Sequence, residues 1–400
     1  MIKKIIFILY PLVLVFLSVY TFSQVDLNLT LSSNPFFQNF QKALIYLGYY
    51  QRPLSSVIFL LILLMLFLIY AFILRLSQKG KISGRDFILL VIISVAILIF
   101  SYPAFSYDIF NYIFDARIVT HYGLNPYQYK ALDFPSDTWI RFMHWTHRYY
   151  PYGPVWLILT LPSSFFGMGK FIWTLLNFKL LFSLFYLGNI FLLDKILKHT
   201  GVKNRVYNLS LFAFNPLIIT ETLVSPHNES MMLFFLLLSI YFLLSKNKPF
   251  SYLALLFSIG IKYITAVFIP VYIYFAVTRK SSISLKNYLP LFFWSLLVSI
   301  IPLFYLREPY PWYFVTLLGM FVLVPDLVLV FLLSLGVTIG SLLRYLPFIY
   351  FGDYQYLVIF LEGILFTLPV LLAITIYLLL FRKASLNRIW KFPFILLKLK

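Results

Sequence analysis

Long apolar runs alternate with short polar connections along the whole chain. They fall at roughly 5–23, 55–76, 87–103, 170–193, 206–223, 230–245, 249–261, 263–278, 288–305, 313–325, 327–344 and 357–381. Most have the roughly 17–25 residues that cross a hydrocarbon core as a helix. The pattern predicts an all-α, polytopic membrane protein with about 12 transmembrane helices (11–13 by the same reading). Two runs, 249–261 and 313–325, are short, each reaching only about 20 Å at the helical rise. They read as half-helices whose ends are buried in protein. The first run follows Lys3 and Lys4 and has no clear small-residue cleavage site behind it. It reads as a retained first helix, although it resembles a signal peptide.

The stretch Tyr152–Gly167 decides the orientation. If it crosses, the loops carrying Lys195, Lys198, Lys203 and Arg205, then Lys246 and Lys248, then Arg279, Lys280 and Lys286 face away from Lys3, Lys4, Lys79, Lys81 and Arg85. If it lies against the outer leaflet, all these basic loops share one side with the tail residues Arg382, Lys383, Arg388 and Lys391, as the positive-inside rule requires. That choice places both termini in the cytoplasm. It also gathers ten of the 13 carboxylates on or near the outer face: Asp26, Asp108, Asp115, Asp133, Asp137, Glu221, Glu229, Glu308, Asp353 and Glu362. Carboxylates contribute little to orientation, so their grouping is a separate observation.

Composition narrows the classes. Hydrophobic residues make up 62% and charged residues 11%, against about a quarter charged in soluble domains. The formal charge of +19 lies in short loops between apolar runs and therefore reads as membrane orientation, not nucleic-acid binding. There is no cysteine, which excludes disulfides, thiolate metal sites and a cysteine nucleophile. No HExxH, GxSxG, P-loop or GxGxxG pattern stands in a fitting context.

Candidate chemistry lies in four stretches. In "YDIFNYIFDARI" a helix would align Asp108, Asn111, Tyr112 and Asp115 on one stripe, with Ile109, Phe110, Ile113 and Phe114 opposite. That describes an amphipathic helix lying in the membrane interface, whose plain reading is a solvated polar face. Gly123 can end it, and Asn125-Pro126 forces an extended turn. In "ETLVSPHNESMM", Ser225 and Pro226 read as the N-cap and first residue of a helix, which Glu229 suits electrostatically. His227 and Asn228 at a span mouth, and Glu221 inside the preceding helix end, are not explained that way, and intramembrane ionisable groups default to function. Lys262 in "SIGIKYITAVFIP" and Lys179 in "NFKLLF" are either snorkelling lysines or cations near a lipid phosphate, snorkelling being favoured for Lys179. The aromatics of "REPYPWYF" (Arg307–Phe314) read as an interfacial belt.

Together these pieces resemble the GT-C superfamily of membrane glycosyltransferases, and most nearly the polyprenyl-phosphate-mannose-dependent α-mannosyltransferases. "SYDIFNY" is similar to their aspartate after a span in the first large outer loop. "YGLNPY" and "YYPYGP" are similar to their G-x-N-P-Y and Y-G-P elements. "FNPLIITETLVSPHNES" is similar to their N-P-L, E, then H-N-D pattern, with Glu229 where an aspartate is common, and "IKY…P" to a later lysine segment. The resemblance covers roughly residues 87–320. It implies an N-terminal transmembrane pair (1–86), a catalytic core (87–320) with outer loop 104–169, and C-terminal helices with a basic tail (321–400).

The resemblance further implies transfer of a hexose, mannose favoured, from a polyprenyl-phosphate donor to a glycan or glycolipid acceptor of the cell envelope, with inversion. Asp108 would be the catalytic base. Asp115, Arg117, Asn125, Tyr127, Glu221, His227, Asn228, Glu229, Lys262 and Tyr313 would bind substrate, with Lys262 and Arg117 facing the departing phosphate. The family has metal-dependent and metal-independent members, so the resemblance names no definite cofactor and leaves a divalent metal open. The competing reading is a transporter or lipid-linked sugar flippase, which would place its polar groups near the bilayer midplane on broken helices related by repeats. Here they gather at one face.

Overall fold

The computed structural model describes residues 2–27, 29, 31–277, 289–302, 308–324 and 327–386. Arg279, Lys280, Lys286, Arg307, Arg388 and Lys391 lie outside them. The described residues form helices without strands. In order these are α1 (Ile2–Thr21), α2 (Pro35–Ile45), α3 (Arg52–Gln78), α4 (Gly84–Leu98), α5 (Asp108–Thr120), α6 (Pro154–Phe165) and α7 (Phe171–His199). There follow α8 (Arg205–Ala213), α9 (Pro216–Ile219), α10 (Glu229–Leu244), α11 (Lys248–Ile259), α12 (Ile269–Val277) and α13 (Leu289–Ile300). The last four are α14 (Phe314–Phe321), α15 (Val328–Leu343), α16 (Tyr345–Phe351) and α17 (Tyr356–Leu386).

Nearly every predicted apolar run is helical, but fewer helices than expected have span length. Lys3–Gln24, Arg52–Gln78, Phe171–His199, Val328–Phe351 and Tyr356–Phe381 are each long and apolar enough to cross a membrane. Pro216–Val224 with Glu229–Leu244, bent by 111°, makes a sixth if counted as one span. The expectation of twelve is not met by helix length among the described residues, because polar and proline breaks interrupt the runs. Asn215 accepts the backbone N–H of Leu217 at 2.9 Å and restarts the chain as α9, a side-chain cap followed by proline. The run at 263–278 opens as a 3₁₀ stretch, Tyr263–Phe268. The two short runs differ: every residue of α14 is buried, whereas α11 leaves Phe250, Leu253, Leu256 and Phe257 exposed.

The N-terminal pair belongs to the main bundle. Tyr10 shares a 2.6 Å hydrogen bond with Ser94 of α4. Tyr70 of α3 donates to the Leu211 carbonyl of α8 at 3.0 Å. One continuous apolar core runs from Ile6 to Phe366. A second core joins α5 and α6 to α7 through Tyr112, Trp156, Phe178 and Phe182.

That second core corrects the reading of α5 as an interfacial helix with a solvated stripe. Ile109, Phe110, Ile113 and Phe114 are buried, but so are Tyr112 and Asp115. Both faces are covered by protein, so the polar stripe points into the molecule. Gly123, at φ +66°, turns the chain after the helix, where its N–H reaches the Val119 carbonyl at 3.1 Å. A left-handed glycine closing a helix in this way satisfies otherwise orphaned carbonyls.

The basic connections meet at one end of the bundle. Lys3 pairs with Asp86 at 2.6 Å, Arg205 with Asp194 at 3.4 Å, and Asn204 donates to the Ser77 carbonyl at 3.2 Å. The opposite helix ends, namely the termini after α4 and α11 and before α10 and α14, converge on Asp108.

Candidate active site

The cluster is assembled by backbone ties between distant stretches. Ser225 accepts the N–H of Phe105 at 2.9 Å, fastening the approach to α5 onto the bend before α10. This corrects the expected N-cap: α10 starts at Glu229, and Ser225 ends the preceding π-helical turn with its N–H on Thr220 O at 2.8 Å. A second tie joins "YGP" to "GIK". Gly153 donates to Ile261 O at 3.2 Å and Val155 to Gly260 O at 3.0 Å. A Cβ on Gly153 would collide with the Gly260 carbonyl, so glycine is required there by close backbone approach.

These ties bring Asp108, His227, Glu221, Glu229, Lys262, Tyr152 and Tyr313 together. Asp108 opens α5, its side chain 16% exposed and its Oδ2 3.8 Å from His227 Nε2. Burial raises its carboxyl to about 6, with Lys262 opposing and Glu229 adding to the shift. His227 is fully buried. Its Nε2 lies 3.0 Å from Ser106 Oγ, its Nδ1 3.1 Å from Glu221 Oε2, and its ring stacks on Trp312 at 4.1 Å. Glu221 Oε1 accepts the Tyr345 hydroxyl at 2.7 Å.

Lys262 pairs with Glu229 and lies over the rings of Tyr152 at 5.7 Å and Tyr313 at 5.5 Å. A partnered ammonium between two aromatic faces is not a snorkelling lysine. Asn228 is fully buried with both amide atoms unpaired, and Glu229 Oε2 is likewise unpaired. Buried polar atoms rarely stay unsatisfied, so these three atoms point to a polar ligand.

The structure separates other expected residues from this cluster. Asp115 lies two turns along α5, about 10 Å on. It is 8% exposed, and burial followed by the Asp108 charge raises its carboxyl to about 8. Arg117 is bound by Asp137, Nε to Oδ2 at 2.6 Å, and packs over Trp139 at 4.1 Å. Arg117 together with Tyr122 and the Trp139 N–H offsets burial and holds the Asp137 carboxyl below its usual range. Asn125 forms a turn by accepting the Tyr127 N–H at 3.0 Å. The Tyr127 hydroxyl donates to Tyr152 O at 2.8 Å, holding Tyr152 beside Lys262. Lys179 is buried at 2% exposure and donates to Ser101 Oγ and Val224 O, each at 2.9 Å. It caps the turn before Ser225 and neither snorkels nor faces the site.

Sequence reasoning missed Ser106, Tyr152, Trp312 and Tyr345 as site residues. Trp312 read as part of an interfacial belt, whereas it is stacked between His227 and Tyr310, the latter at 4.6 Å. Tyr152 and Trp312 stand inside stretches that had already attracted notice. The signal that could have found Tyr345 is the charged Arg344 beside it, inside a long apolar run. Among the described residues, no group of three or more His, Asp or Glu side chains is placed to hold a metal ion.

Residues 15–278 match a protein family described as "Alpha-(1->6)-mannopyranosyltransferase, N-terminal domain". The matched region contains Asp108, Glu221, His227, Glu229 and Lys262. No curated protein and no solved structure matches the chain.

Proposed function

The chain belongs to the α-(1→6)-mannopyranosyltransferase family, and from that premise we propose that it transfers mannose from a polyprenyl-phosphate donor to an acceptor hydroxyl at the outer membrane face. The chain is thereby a membrane glycosyltransferase; the donor, side and mechanism are the proposal. The observation that carries them is the meeting of the Asp108 carboxylate, the partly buried ammonium of Lys262 and the orphaned amide of Asn228 at the helix ends opposite the basic loops.

In the proposed reaction the acceptor oxygen attacks the anomeric carbon as the bond from that carbon to the phosphate oxygen breaks. The electron pair leaves with the lipid phosphate, and the hydroxyl proton goes to Asp108. A positioned base is effective because that proton becomes acidic as the new bond forms. Lys262, held by Glu229 and two tyrosine faces, meets the charge developing on the phosphate. Asn228 and the free oxygen of Glu229 have the donor and acceptor atoms to hold sugar hydroxyls. A single displacement inverts the configuration, so an α product requires a β-linked donor. Asp115, Arg117, Asn125 and Tyr127 then support the site from outside the reacting centre.

The test incubates purified protein in nanodiscs with a panel of polyprenyl-phosphate sugars and an oligomannoside acceptor. Expected is transfer from the mannosyl donor alone, with an anomeric configuration opposite to the donor's. Transfer from a nucleotide sugar but not from the lipid donors would sink the donor assignment, and retention would sink the single displacement.

A further inference from the structure

A cavity of about 200 Å³ opens at the far end of α5, where Arg117, Thr120, Trp139, Ser164, Phe165 and Gly169 line it. Thr120 stands about 18 Å along the helix from Asp108, so this is a separate place on the molecule. Two helix ends build it. Thr120 Oγ1 of α5 and Ser164 Oγ of α6 share a 2.8 Å hydrogen bond, and Gly169 lies in the turn between α6 and α7.

The charge in this cavity is fixed in place. Asp137 Oδ2 accepts Arg117 Nε–H at 2.6 Å and the Tyr122 hydroxyl at 2.7 Å, while Oδ1 accepts the Trp139 N–H at 2.9 Å. The carboxylate is thus satisfied inside the protein. Among the described residues no hydrogen bond is found for either Nη of Arg117. An arginine anchored through Nε keeps a rigid two-pronged edge for a ligand, which is the geometry that binds phosphate. A sugar fits less well. Trp139, the indole it would stack on, has the guanidinium over its ring at 4.1 Å and Phe171 against it at 5.3 Å. The end of α5 opposes an anion only weakly, because three of its last carbonyls are occupied. His121 N–H bonds Arg117 O at 2.8 Å, Leu124 N–H bonds Ile118 O at 3.0 Å and Gly123 N–H bonds Val119 O at 3.1 Å.

The rim of the cavity is apolar and open. Phe165, Phe166 and Met168 are exposed, and α7 continues the exposed apolar flank through Ile172, Trp173, Leu180 and Leu184. With 29 residues, α7 is about 44 Å long, against a hydrocarbon core near 30 Å. It is long enough for its first turn to stand at headgroup level, where Trp173 suits the interface. Lys170, also exposed, directly precedes that turn.

We propose that this cavity binds the phosphate of an anionic phospholipid, with the Nη edge of Arg117 and the Lys170 ammonium on the phosphate oxygens. The acyl chains lie along Phe165, Phe166 and the flank of α7. A free phosphate shares the headgroup's chemistry but gains nothing from the apolar rim. The site does not depend on the mannosyltransferase reading, and each can fail without the other.

The experiment measures the melting temperature of the full-length protein in a nonionic detergent. It is titrated with dihexanoyl-phosphatidylglycerol, dihexanoyl-phosphatidylcholine or inorganic phosphate. A ligand that binds the folded chain raises the melting temperature with concentration, which yields its affinity. Phosphatidylglycerol should bind at least about tenfold more tightly than either of the others. Arg117→Lys keeps an ammonium for Asp137 but loses the planar fork, and should weaken phosphatidylglycerol binding at least about tenfold. Lys170→Glu reverses an exposed charge without touching the core and should weaken it similarly. If Arg117→Lys does not fold, Lys170→Glu decides alone. Unchanged affinity in Lys170→Glu overturns the proposal. An equal response to phosphatidylcholine overturns it too, since the chains alone would then bind, and an equal response to inorganic phosphate removes the lipid.

Discussion

At the residue scale, the environment of Asp108 suits a base working near neutrality. Its carboxyl is raised to about 6, mainly by burial, so kcat/KM should fall as pH drops through about 6, where the base becomes protonated. Asparagine keeps the shape but cannot take a proton. Asp108→Asn should keep donor affinity and lose about 10²–10⁴ in single-turnover rate, the usual worth of a positioned base.

Asp115 gives the opposite expectation. Its folded value of about 8 lies above an ordinary aspartate near 4, so the folded chain binds this proton more tightly than the unfolded chain. Stability from this group is present at low pH and is lost as pH rises toward 8. Asp115→Asn should lose far less activity than Asp108→Asn, and its melting temperature should exceed the wild type's more at pH 8.5 than at pH 5. An equal difference at both values would show that Asp115 ionises freely. For Lys262, removal of one partner from a mostly buried pair strands the other. Lys262→Ala should therefore weaken donor use strongly and Lys262→Arg only partly, with a loss that grows for poorer leaving groups. Near-normal turnover in both variants would mean that Lys262 serves Glu229 alone.

At the element scale, α5 shows what periodicity can and cannot reveal. Its stripe of Asp108, Tyr112 and Asp115 was legible as a polar face, because side chains three and four apart share a side of a helix. Whether that face met water or protein was not legible, since α6, α7 and the 131–152 loop cover it from far away in sequence. The contact between Gly153 and Gly260 has the same character. Two glycines more than 100 residues apart look like loop punctuation until their backbones are found touching. Gly153→Ala forces that seam apart and moves Tyr152 from Lys262. It should preserve helix content by circular dichroism while lowering turnover at least about tenfold, since displacements near 1 Å at a catalytic site can cost 10²-fold. Wild-type turnover would show that the seam does not position Lys262.

At the scale of the whole molecule, the proposed orientation puts the basic loops inside, as the positive-inside rule asks, and the acid cluster outside. The absence of cysteine makes this testable. Single cysteines at the exposed positions Lys81, Ser136 and Lys203 can be probed in intact cells with a membrane-impermeant thiol reagent. Only the one at Ser136 should label. Labelling at 203 would mean that Tyr152–Gly167 crosses the bilayer and that the cluster does not face outward.

The sequence by itself determined the helical membrane class, the segregation of charge, and the stretches holding Asp108, His227, Glu229 and Lys262, because apolar run length, loop charge and local motifs are properties of neighbouring residues. Tertiary structure alone decided which of those residues meet. Arg117 goes to Asp137 and Lys179 to the turn before Ser225, while Lys262 goes to Glu229. A charge takes whichever partner the packing brings within a few ångströms, and that distance is set by helices remote in sequence. Tyr345 and Trp312 join the site for the same reason: the charged residues near them in the chain, Arg344 and Glu308, pair with each other, and only the fold places the two rings against Glu221 and His227.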